Sequence, residues 1–537
     1  MRAGRIIAVV VVLALFAAVA FYGYRLYTSG EPAGSSPIIA SPSSSPSPTP
    51  TEEPRLPWGP TEAEWEQALA DAGAMPLERV AGQVIVPSWT TTDSAAAAAM
   101  VRDLHAGGVI FMASALNDVN QAGEITRAVA AAADDDGRDW PLMVSVDQEG
   151  GPVARLRNLT PDMPAFMASG SVRDKSLVTD AHRDMGADLR AVGFTVDYAP
   201  VADVTIGMAD PVIRVRSAGS DPANVSATVR AAMEGLLAGG VIPVVKHFPG
   251  HGSVTLDSHT DLPVQSATVA DLEARDLIPF RDAIDAGAPA IMMAHIAVPE
   301  WGPNAATVTP AAYAYLRDEL GFTGVIFTDA MNMQAVAAQY GPGEAAVAAI
   351  DAGADVILMP EDPYAARDAI VTAVKMGTLS RARLDEAAAR SILLMRWQAQ
   401  LDGAPQAEPS WAATFTARAV TVASASCDGP FVGPSVRITG GFESERDALA
   451  AALAGYGITT GGGTHIRILG APDGSDNADV VVAMDGPWGL PSSNAATYVG
   501  LYGRTDDAFQ GLAAVLAGEV RPGGTWPVDI AVPYDVC

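Results

Sequence analysis

Residues 246–259 concentrate more chemically versatile side chains than any other part of the sequence. The segment reads KHFPGHGSVTLDSH, and it holds three of the seven histidines of the chain and one of its few lysines. Pro249 and the glycines at 250 and 252 predict a loop rather than a helix or strand. A loop of this composition is a candidate for acid/base or metal chemistry.

A metal site is one interpretation of this loop. His247 and His251 are four residues apart, which is the spacing of two metal ligands on one helix face, but the intervening Phe-Pro-Gly prevents a helix. A metal-dependent hydrolase using His247, His251, Asp257 and His259 would lose its activity to a chelator. Because the helix that this spacing needs is prevented, we expect no metal at this loop. We also expect no other cofactor.

The other interpretation is a histidine that acts as a general acid/base. In an extended loop, residues i and i+2 point the same way, so Asp257 is predicted to hold one ring nitrogen of His259. A carboxylate in that position orients the imidazole and raises its basicity, as a general acid/base requires.

The elements that must position this loop are short apolar runs alternating with amphipathic stretches. Strands are predicted over residues 83–89, 107–112, 142–147, 194–200, 241–248, 290–296, 324–329 and 355–360. Helices are predicted between them, among others over 178–191, 223–237, 269–286 and 343–352. Near-continuous Val/Ile runs alternating with helices are typical of parallel strands covered on both faces. Eight such units predict a (β/α)8 barrel over residues 58–398.

Polar side chains stand at the ends of these predicted strands. They are Asp147, Asp203, Lys246, His247, His295 and Asp329. Barrel enzymes carry their active sites at the carboxyl ends of the strands, and charged residues are rarely buried without a purpose. Any single carboxylate could instead cap the next helix, an alternative that stands above all for Asp203. Taken together, the residues predict an active site.

The composition limits the partners and the number of domains. There are 33 basic and 62 acidic residues, giving a net charge of −29. Such a surface repels phosphate backbones, so we expect no nucleic-acid partner. A chain of 537 residues exceeds one hydrophobic core, and a smaller C-terminal α/β domain is predicted over residues 410–537. Its strands are expected at 436–439, 466–469 and 480–484.

The N-terminus predicts export. Arg2 and Arg5 precede an apolar run over residues 6–24, close to the roughly 20 residues that span a bilayer as a helix. Residues 1–27 are therefore a cleaved signal peptide or an uncleaved membrane anchor, and the aromatic residues near the outer end favour the anchor. The protein is expected to face outward from the cell membrane, or to be secreted if the segment is cleaved. Residues 28–57, rich in Pro, Ser and Thr, predict a linker.

The two cysteines of the chain both lie in the predicted C-terminal domain. Because we expect an exported protein, Cys427 and Cys537 are predicted to form a disulfide. The alternative is two free thiols.

Three segments closely resemble glycoside hydrolase family 3, specifically its bacterial β-N-acetylhexosaminidases. They are VDQEGGPVAR (residues 146–155), KHFPGHG followed by DSH (246–259), and GVIFTDAMNM (324–333). The resemblance extends from about residue 76 to 395 and continues more weakly into the C-terminal domain. Together with the export predicted from the N-terminus, it implies an exported retaining β-N-acetylglucosaminidase that removes GlcNAc from peptidoglycan fragments or related glycosides. A GlcNAc phosphorylase and a non-catalytic sugar-binding protein are the alternatives on the same scaffold.

The resemblance also assigns roles to individual residues. Asp329 is expected to be the nucleophile that forms a covalent glycosyl-enzyme, with His259, oriented by Asp257, as the acid/base. The residues expected to bind the substrate are Asp147, Arg155, Arg216, Lys246 and His247.

The chain departs from the family pattern at three positions beside these residues. Pro152 replaces a usual arginine, Arg214 replaces a glycine, and Ala330 stands where an acidic residue commonly follows the nucleophile. These departures leave the reaction type unchanged and affect the expected fine specificity.

Overall fold

The computed structural model of the protein describes residues 53–537, which form one compact unit. The predicted signal peptide or anchor (residues 1–27) and most of the predicted linker (28–57) lie outside the described residues. Within residues 53–537, no helix combines the length and the apolar character that crossing a membrane requires.

Every one of the eight predicted strand segments contains an observed strand. The strands of this region are β1 Ile85–Val86, β2 Ser88–Trp89, β3 Gly108–Phe111, β4 Met143–Val146, β5 Gln148–Gly150, β6 Val153–Ala154, β7 Val196–Asp197, β8 Ile242–Pro243, β9 Val245–Phe248, β10 Ala290–Met293, β11 Val325–Thr328 and β12 Ile357–Leu358. Pro87 separates β1 from β2, because proline has no N–H to continue a ladder. The central strands β3, β4, β9, β10 and β11 are buried throughout, as parallel strands covered on both faces must be.

Apart from the antiparallel pair of β5 and β6, the strands of this region pair in parallel ladders. Their orders are β2-β3-β4-β7-β8, β11-β10-β9 and β1-β12. Isolated parallel bridges join Val201 to Lys246 and Phe327 to Val356. The predicted α/β class is therefore confirmed, while these separate ladders do not by themselves make one continuous eight-stranded sheet.

Helices follow most of the strands, as predicted. They are α1 Glu62–Ala74, α2 Leu77–Gln83, α3 Ser94–Leu104, α4 Val119–Asp135, α5 Phe166–Ser171, α6 Lys175–Val192, α7 Pro222–Gly239, α8 Val269–Glu273, α9 Ile278–Asp285, α10 Pro310–Ala314, α11 Gln334–Ala337, α12 Pro342–Ala352, α13 Pro363–Met376 and α14 Arg381–Gln398. The single helix predicted over 269–286 is wrong, since it is divided into α8 and α9. Pro279, in the first turn of α9, is tolerated at a helix start but interrupts a helix interior.

The C-terminal region also alternates strands and helices, around a sheet of its own. Its elements are α15 Trp411–Ala419, β13 Thr421–Ser424, β14 Ser435–Gly440, α16 Glu443–Ala454, β15 Thr459–Thr460, β16 Thr464–Leu469, β17 Val480–Ala483, β18 Thr497–Gly500 and α17 Asp506–Leu516. The sheet has the order β13-β18-β17-β16-β14-β15, with β13 antiparallel to β18. It has a core of its own, including Leu449 and Phe509. Trp411 and Phe415 of α15 belong instead to the core of the first region. The domain boundaries at 398 and 410 stay predictions.

The structure joins Cys427 and Cys537 in the expected disulfide, with their Cα atoms 5.3 Å apart. The backbone N–H of Cys537 also donates to the carbonyl oxygen of Val422 in β13, at 2.8 Å. The last residue of the chain is therefore attached to the C-terminal sheet by a covalent bond and a hydrogen bond.

Reduction of this disulfide should lower the free energy of unfolding of the C-terminal region. The bond closes a sequence separation of 110 residues, and crosslinks of this kind typically stabilise by about 2–4 kcal/mol through the unfolded chain. Thermal unfolding with and without reductant measures the effect, and the Cys427→Ser variant should no longer respond to reductant. Two reactive thiols in unfolded, unreduced protein would contradict the disulfide.

Candidate active site

A cavity of about 330 Å³ brings most of the predicted site residues together. Those that line it are Asp147, Arg155, Arg216, Lys246, His247, His259 and Asp329. The cavity lies at the carboxyl ends of the strands: Asp147 follows β4, Lys246 and His247 belong to β9, and Asp329 follows β11. Apolar side chains such as Ile110 and Leu358 complete the lining.

The cationic side of the cavity is organised around Glu149, a buried residue that the sequence analysis did not assign. Both oxygens of Glu149 accept from Arg216, from Nε and Nη2 at 2.8 Å each, and Lys246 Nζ lies 2.7 Å from Oε1. Lys246 Nζ also donates to Asp147 at 2.9 Å, and Arg155 Nη2 lies 3.5 Å from the other oxygen of Asp147. Burial raises the pKa of Glu149, but the two cations outweigh burial and hold it well below its usual range.

The hairpin of β5 and β6 carries Glu149 and explains the paired glycines of its motif. Gly150 and Gly151 have φ values of 89° and 54°, and a Cβ on Gly150 would lie 2.4 Å from the carbonyl oxygen of Pro164. Only glycine fits this turn without strain. The N–H of Gln148 donates to the buried carboxyl of Asp197 at 2.8 Å, and burial raises the pKa of Asp197 to about 8.

Glu149→Gln should raise KM for a glycoside and destabilise the fold. The change removes the anion between two buried cations, and breaking a buried ion pair costs about 3–5 kcal/mol. Steady-state kinetics and thermal unfolding measure the two effects. The matched control is Glu234→Gln, since Glu234 forms an exposed pair with Arg230, and exposed pairs contribute little to stability. A wild-type KM and melting temperature for Glu149→Gln would contradict this role.

Asp203 orients His247. The carboxylate of Asp203 is fully buried, and it lies 2.7 Å from His247 Nδ1. Its other oxygen accepts the backbone N–H groups of His247 and His251, at 3.2 and 2.6 Å. Burial raises the pKa of Asp203, but the ring of His247 and its hydrogen bond outweigh burial, so the pKa is lowered. Asp203 thus fixes the ring of His247, leaving Nε2 for a ligand, and the helix-cap alternative is wrong.

Asp257 and His259 form the predicted pair. His259 Nδ1 lies 2.7 Å from Asp257 Oδ1, and the backbone N–H of His259 donates to the same oxygen at 2.9 Å. The N–H of Thr260 donates to the carbonyl oxygen of Asp257 at 3.0 Å. The backbone is therefore a turn begun by an aspartate, and not the extended loop from which the pairing was predicted. Burial raises the pKa of Asp257, but the hydrogen bonds from His259 outweigh burial, so the pKa is lowered.

Asp329 is held with one carboxylate oxygen engaged. Its N–H donates to the carbonyl oxygen of Met293 at 2.9 Å, and its Oδ1 accepts the N–H of Ala330 at 2.7 Å. Burial raises the pKa of Asp329, but the neighbouring His247 and His295, with the Ala330 N–H, outweigh burial and lower it to about 2. Asp329 is therefore ionised at neutral pH.

His295, also predicted at a strand end, contacts the backbone of Ala330, the residue that follows Asp329. Its Nε2 donates to the carbonyl oxygen of Ala330 at 2.9 Å, and its Nδ1 lies 2.6 Å from the hydroxyl of Thr307. Burial lowers the pKa of His295. Ala330 is thus bonded at both its backbone groups, with its N–H donating to Asp329 and its carbonyl oxygen accepting from His295.

The histidines of the loop do not converge on a common point. His247 pairs with Asp203, His251 with Ser258 and His259 with Asp257. In the part of the chain that the structure describes, no group of three or more His, Cys, Asp or Glu side chains could hold a metal ion. The ligand cluster that the metal-dependent alternative requires is therefore not assembled.

An ionised carboxylate and a histidine held by an aspartate, beside further charged side chains, are groups that can act as a nucleophile and as a general acid/base. The model of the Glycosyl hydrolase family 3 N terminal domain matches residues 76–394. The chain therefore belongs to glycosyl hydrolase family 3, as its motifs predicted.

Similar proteins carry consistent names. Beta-hexosaminidase LpqI of Mycobacterium tuberculosis H37Rv is 35% identical over 335 residues, covering 60% of this chain and 84% of that relative. A beta-hexosaminidase of Nitrosomonas eutropha is 36% identical over 294 residues, covering 52% of this chain and 81% of its own length. The solved structure of a family 3 β-N-acetylglucosaminidase from Paenibacillus sp. str. FPU-7 has a TM-score of 0.74 at 27% identity, covering 85% of this chain and 99% of that one.

Proposed function

We propose that the protein is a retaining β-N-acetylglucosaminidase that removes GlcNAc from the non-reducing end of glycosides. The relatives named beta-hexosaminidases support the substrate class. The observation that carries the mechanism is that Asp329 and His259 line the same cavity, one ionised and the other held by a carboxylate.

The first half-reaction forms the glycosyl-enzyme. The free oxygen of Asp329 attacks the anomeric carbon while the bond from that carbon to the leaving oxygen breaks. His259, whose Nδ1 is held by Asp257, gives its Nε2 proton to the leaving oxygen.

The second half-reaction reverses these roles. His259 removes a proton from water through Nε2, and the water oxygen attacks the anomeric carbon and releases Asp329. Asp257 stabilises the imidazolium that forms in this step, as a buried or partly buried carboxylate does for other catalytic histidines.

The clamp holds the sugar ring in place. Asp147, Arg155, Lys246 and His247 offer hydroxyl-binding groups on one side of the cavity, and fixing the ring brings the anomeric carbon to Asp329. Arg216 engages Glu149 with two of its nitrogens, so its contribution to substrate binding includes ordering the clamp.

The enzyme should prefer an N-acetyl group at the 2-position of the sugar over a hydroxyl. A site that hydrogen-bonds a substrate group rejects analogues lacking it, here by about 10²-fold or more in kcat/KM. Comparison of nitrophenyl glycosides of GlcNAc and glucose measures the preference. Equal or faster turnover of the glucoside would leave only the broader family assignment.

The same assay separates hydrolysis from phosphorolysis. With and without added phosphate, the expected product is free GlcNAc. GlcNAc 1-phosphate appearing in phosphate would show that the alternative, a phosphorylase, is the better description.

The proposal extends to the architecture and location of the enzyme. Pairing of β1 with β12, and the bridges Val201–Lys246 and Phe327–Val356, support a (β/α)8 barrel closed around the cavity. Residues 1–27 as an anchor and 28–57 as a tether would place it outside the cell membrane, where peptidoglycan-derived GlcNAc glycosides are the natural substrates. The Cys427–Cys537 disulfide supports an oxidising compartment. Recovery of the full-length protein in the cytoplasmic fraction would contradict export.

A further inference from the structure

Ser258, the middle residue of the Asp257–His259 turn, is its buried anchor. The side chains of Asp257 and His259 are 36% and 60% exposed, whereas Ser258 is 1% exposed. The turn therefore presents its two outer side chains towards solvent and the cavity, and it is held by the residue between them.

Ser258 is held through its side chain and its backbone. Its Oγ shares a 2.8 Å hydrogen bond with His251 Nε2, and its carbonyl oxygen accepts the N–H of Ala335, in α11, at 3.3 Å. Since α11 begins five residues after Asp329, the second contact ties the turn to the segment that carries Asp329.

His251, the partner of Ser258 in this hydrogen bond, is itself held firmly in place. It is 2% exposed, and its backbone N–H donates to Asp203, which also holds His247. Burial, and then the neighbouring His247, lowers the pKa of His251 to about 4, so the ring is neutral at neutral pH. Among the described residues, its Nδ1 has no hydrogen-bond partner, so the bond to Ser258 is the one that its ring makes.

We propose that the His251–Ser258 hydrogen bond positions the acid/base turn over Asp329. This inference rests on the proposed function, because it assumes that His259 protonates the leaving group. His251 and Ser258 are positioning residues, which act through His259 and do not themselves react. Because Asp203 holds both His247 and His251, one carboxylate aligns the sugar clamp and the acid/base turn.

Ser258→Ala tests this proposal by removing the hydroxyl and leaving the backbone. For a GlcNAc disaccharide, whose leaving group is basic, kcat/KM should fall by about 10–100-fold, part of the 10²–10⁴-fold that a general acid supplies. For a dinitrophenyl glycoside of GlcNAc, whose leaving group needs little protonation, kcat/KM should fall less than about 3-fold. Ser258→Thr retains the hydroxyl and should recover most of the disaccharide activity.

The matched control is Ser391→Ala. Ser391 is also fully buried and its Oγ accepts one side-chain hydrogen bond, from Gln83 Nε2 at 3.2 Å, but it does not line the cavity. Any loss in this variant should be equal for the two substrates. An equal loss for the two substrates in Ser258→Ala, as in the control, would overturn the proposal.

His259→Ala separates failure of this inference from failure of the proposed function. If His259→Ala slows both substrates equally, the acid/base role of His259 is wrong, and the positioning role falls with it. If His259→Ala is selective for the disaccharide, adding Ser258→Ala should cause no further selective loss, because Ser258 acts through the missing histidine. A further selective loss in the double variant would assign Ser258 a separate role and overturn the proposal.

Discussion

Asp329→Asn should slow the cleavage of every glycoside by about 10⁴–10⁶-fold, the range found when a catalytic nucleophile is removed. The amide keeps the shape of the carboxylate but has no charge with which to attack the anomeric carbon. Because the neighbouring groups lower the pKa of Asp329 to about 2, the wild-type side chain is ionised over the whole working pH range. Single-turnover kinetics on a nitrophenyl GlcNAc glycoside and on a disaccharide measure the loss, which should be similar for both.

Direct detection of the intermediate checks the same assignment. Mass spectrometry of wild-type enzyme quenched during turnover should find one added sugar on the peptide that contains Asp329, and none in Asp329→Asn. A label on another carboxylate, with Asp329→Asn retaining more than about a tenth of the wild-type rate, would be incompatible with a nucleophile at this position.

The sequence was sufficient wherever the signal is local. Apolar runs located the strands, because a parallel strand that is buried on both faces is apolar along nearly its whole length. Charged residues at the ends of those runs located the cavity, as for Lys246 in β9 and Asp329 after β11. The Asp257–His259 pair was also local, since its members are two positions apart in the sequence whether the backbone is extended or turned.

The contacts that could not be predicted from the sequence are those between residues that lie far apart along the chain. Glu149 became central only when Arg216 and Lys246, each more than 60 residues away, closed on it. Asp203 looks like a possible helix cap until the loop 44 residues later brings His247 to it. Ser258 gave no signal of its own, because a serine between two catalytic candidates is an unremarkable residue until its burial and its partner His251 are known.

His259→Ala should separate substrates by the basicity of their leaving groups. The first task of His259 is to protonate the departing oxygen, and a general acid contributes about 10²–10⁴-fold when that oxygen is basic. The variant should therefore lose about that factor in glycosylation by a GlcNAc disaccharide. A nitrophenol leaves unaided as its anion, so glycosylation by a nitrophenyl glycoside should slow far less.

Deglycosylation then becomes the slow step for the nitrophenyl substrate, since the same histidine must activate the incoming water. A burst of nitrophenol, equal in amount to the enzyme, should precede the steady state. Asp257→Ala should give a milder version of the same pattern, because Asp257 orients and charges the imidazole through the 2.7 Å contact with Nδ1 without transferring the proton itself. A histidine that only braces the turn predicts a different result, namely the same loss for good and poor leaving groups and no burst. That outcome would remove His259 from the mechanism while leaving Asp329 in place, because the nucleophile is tested by its own variant.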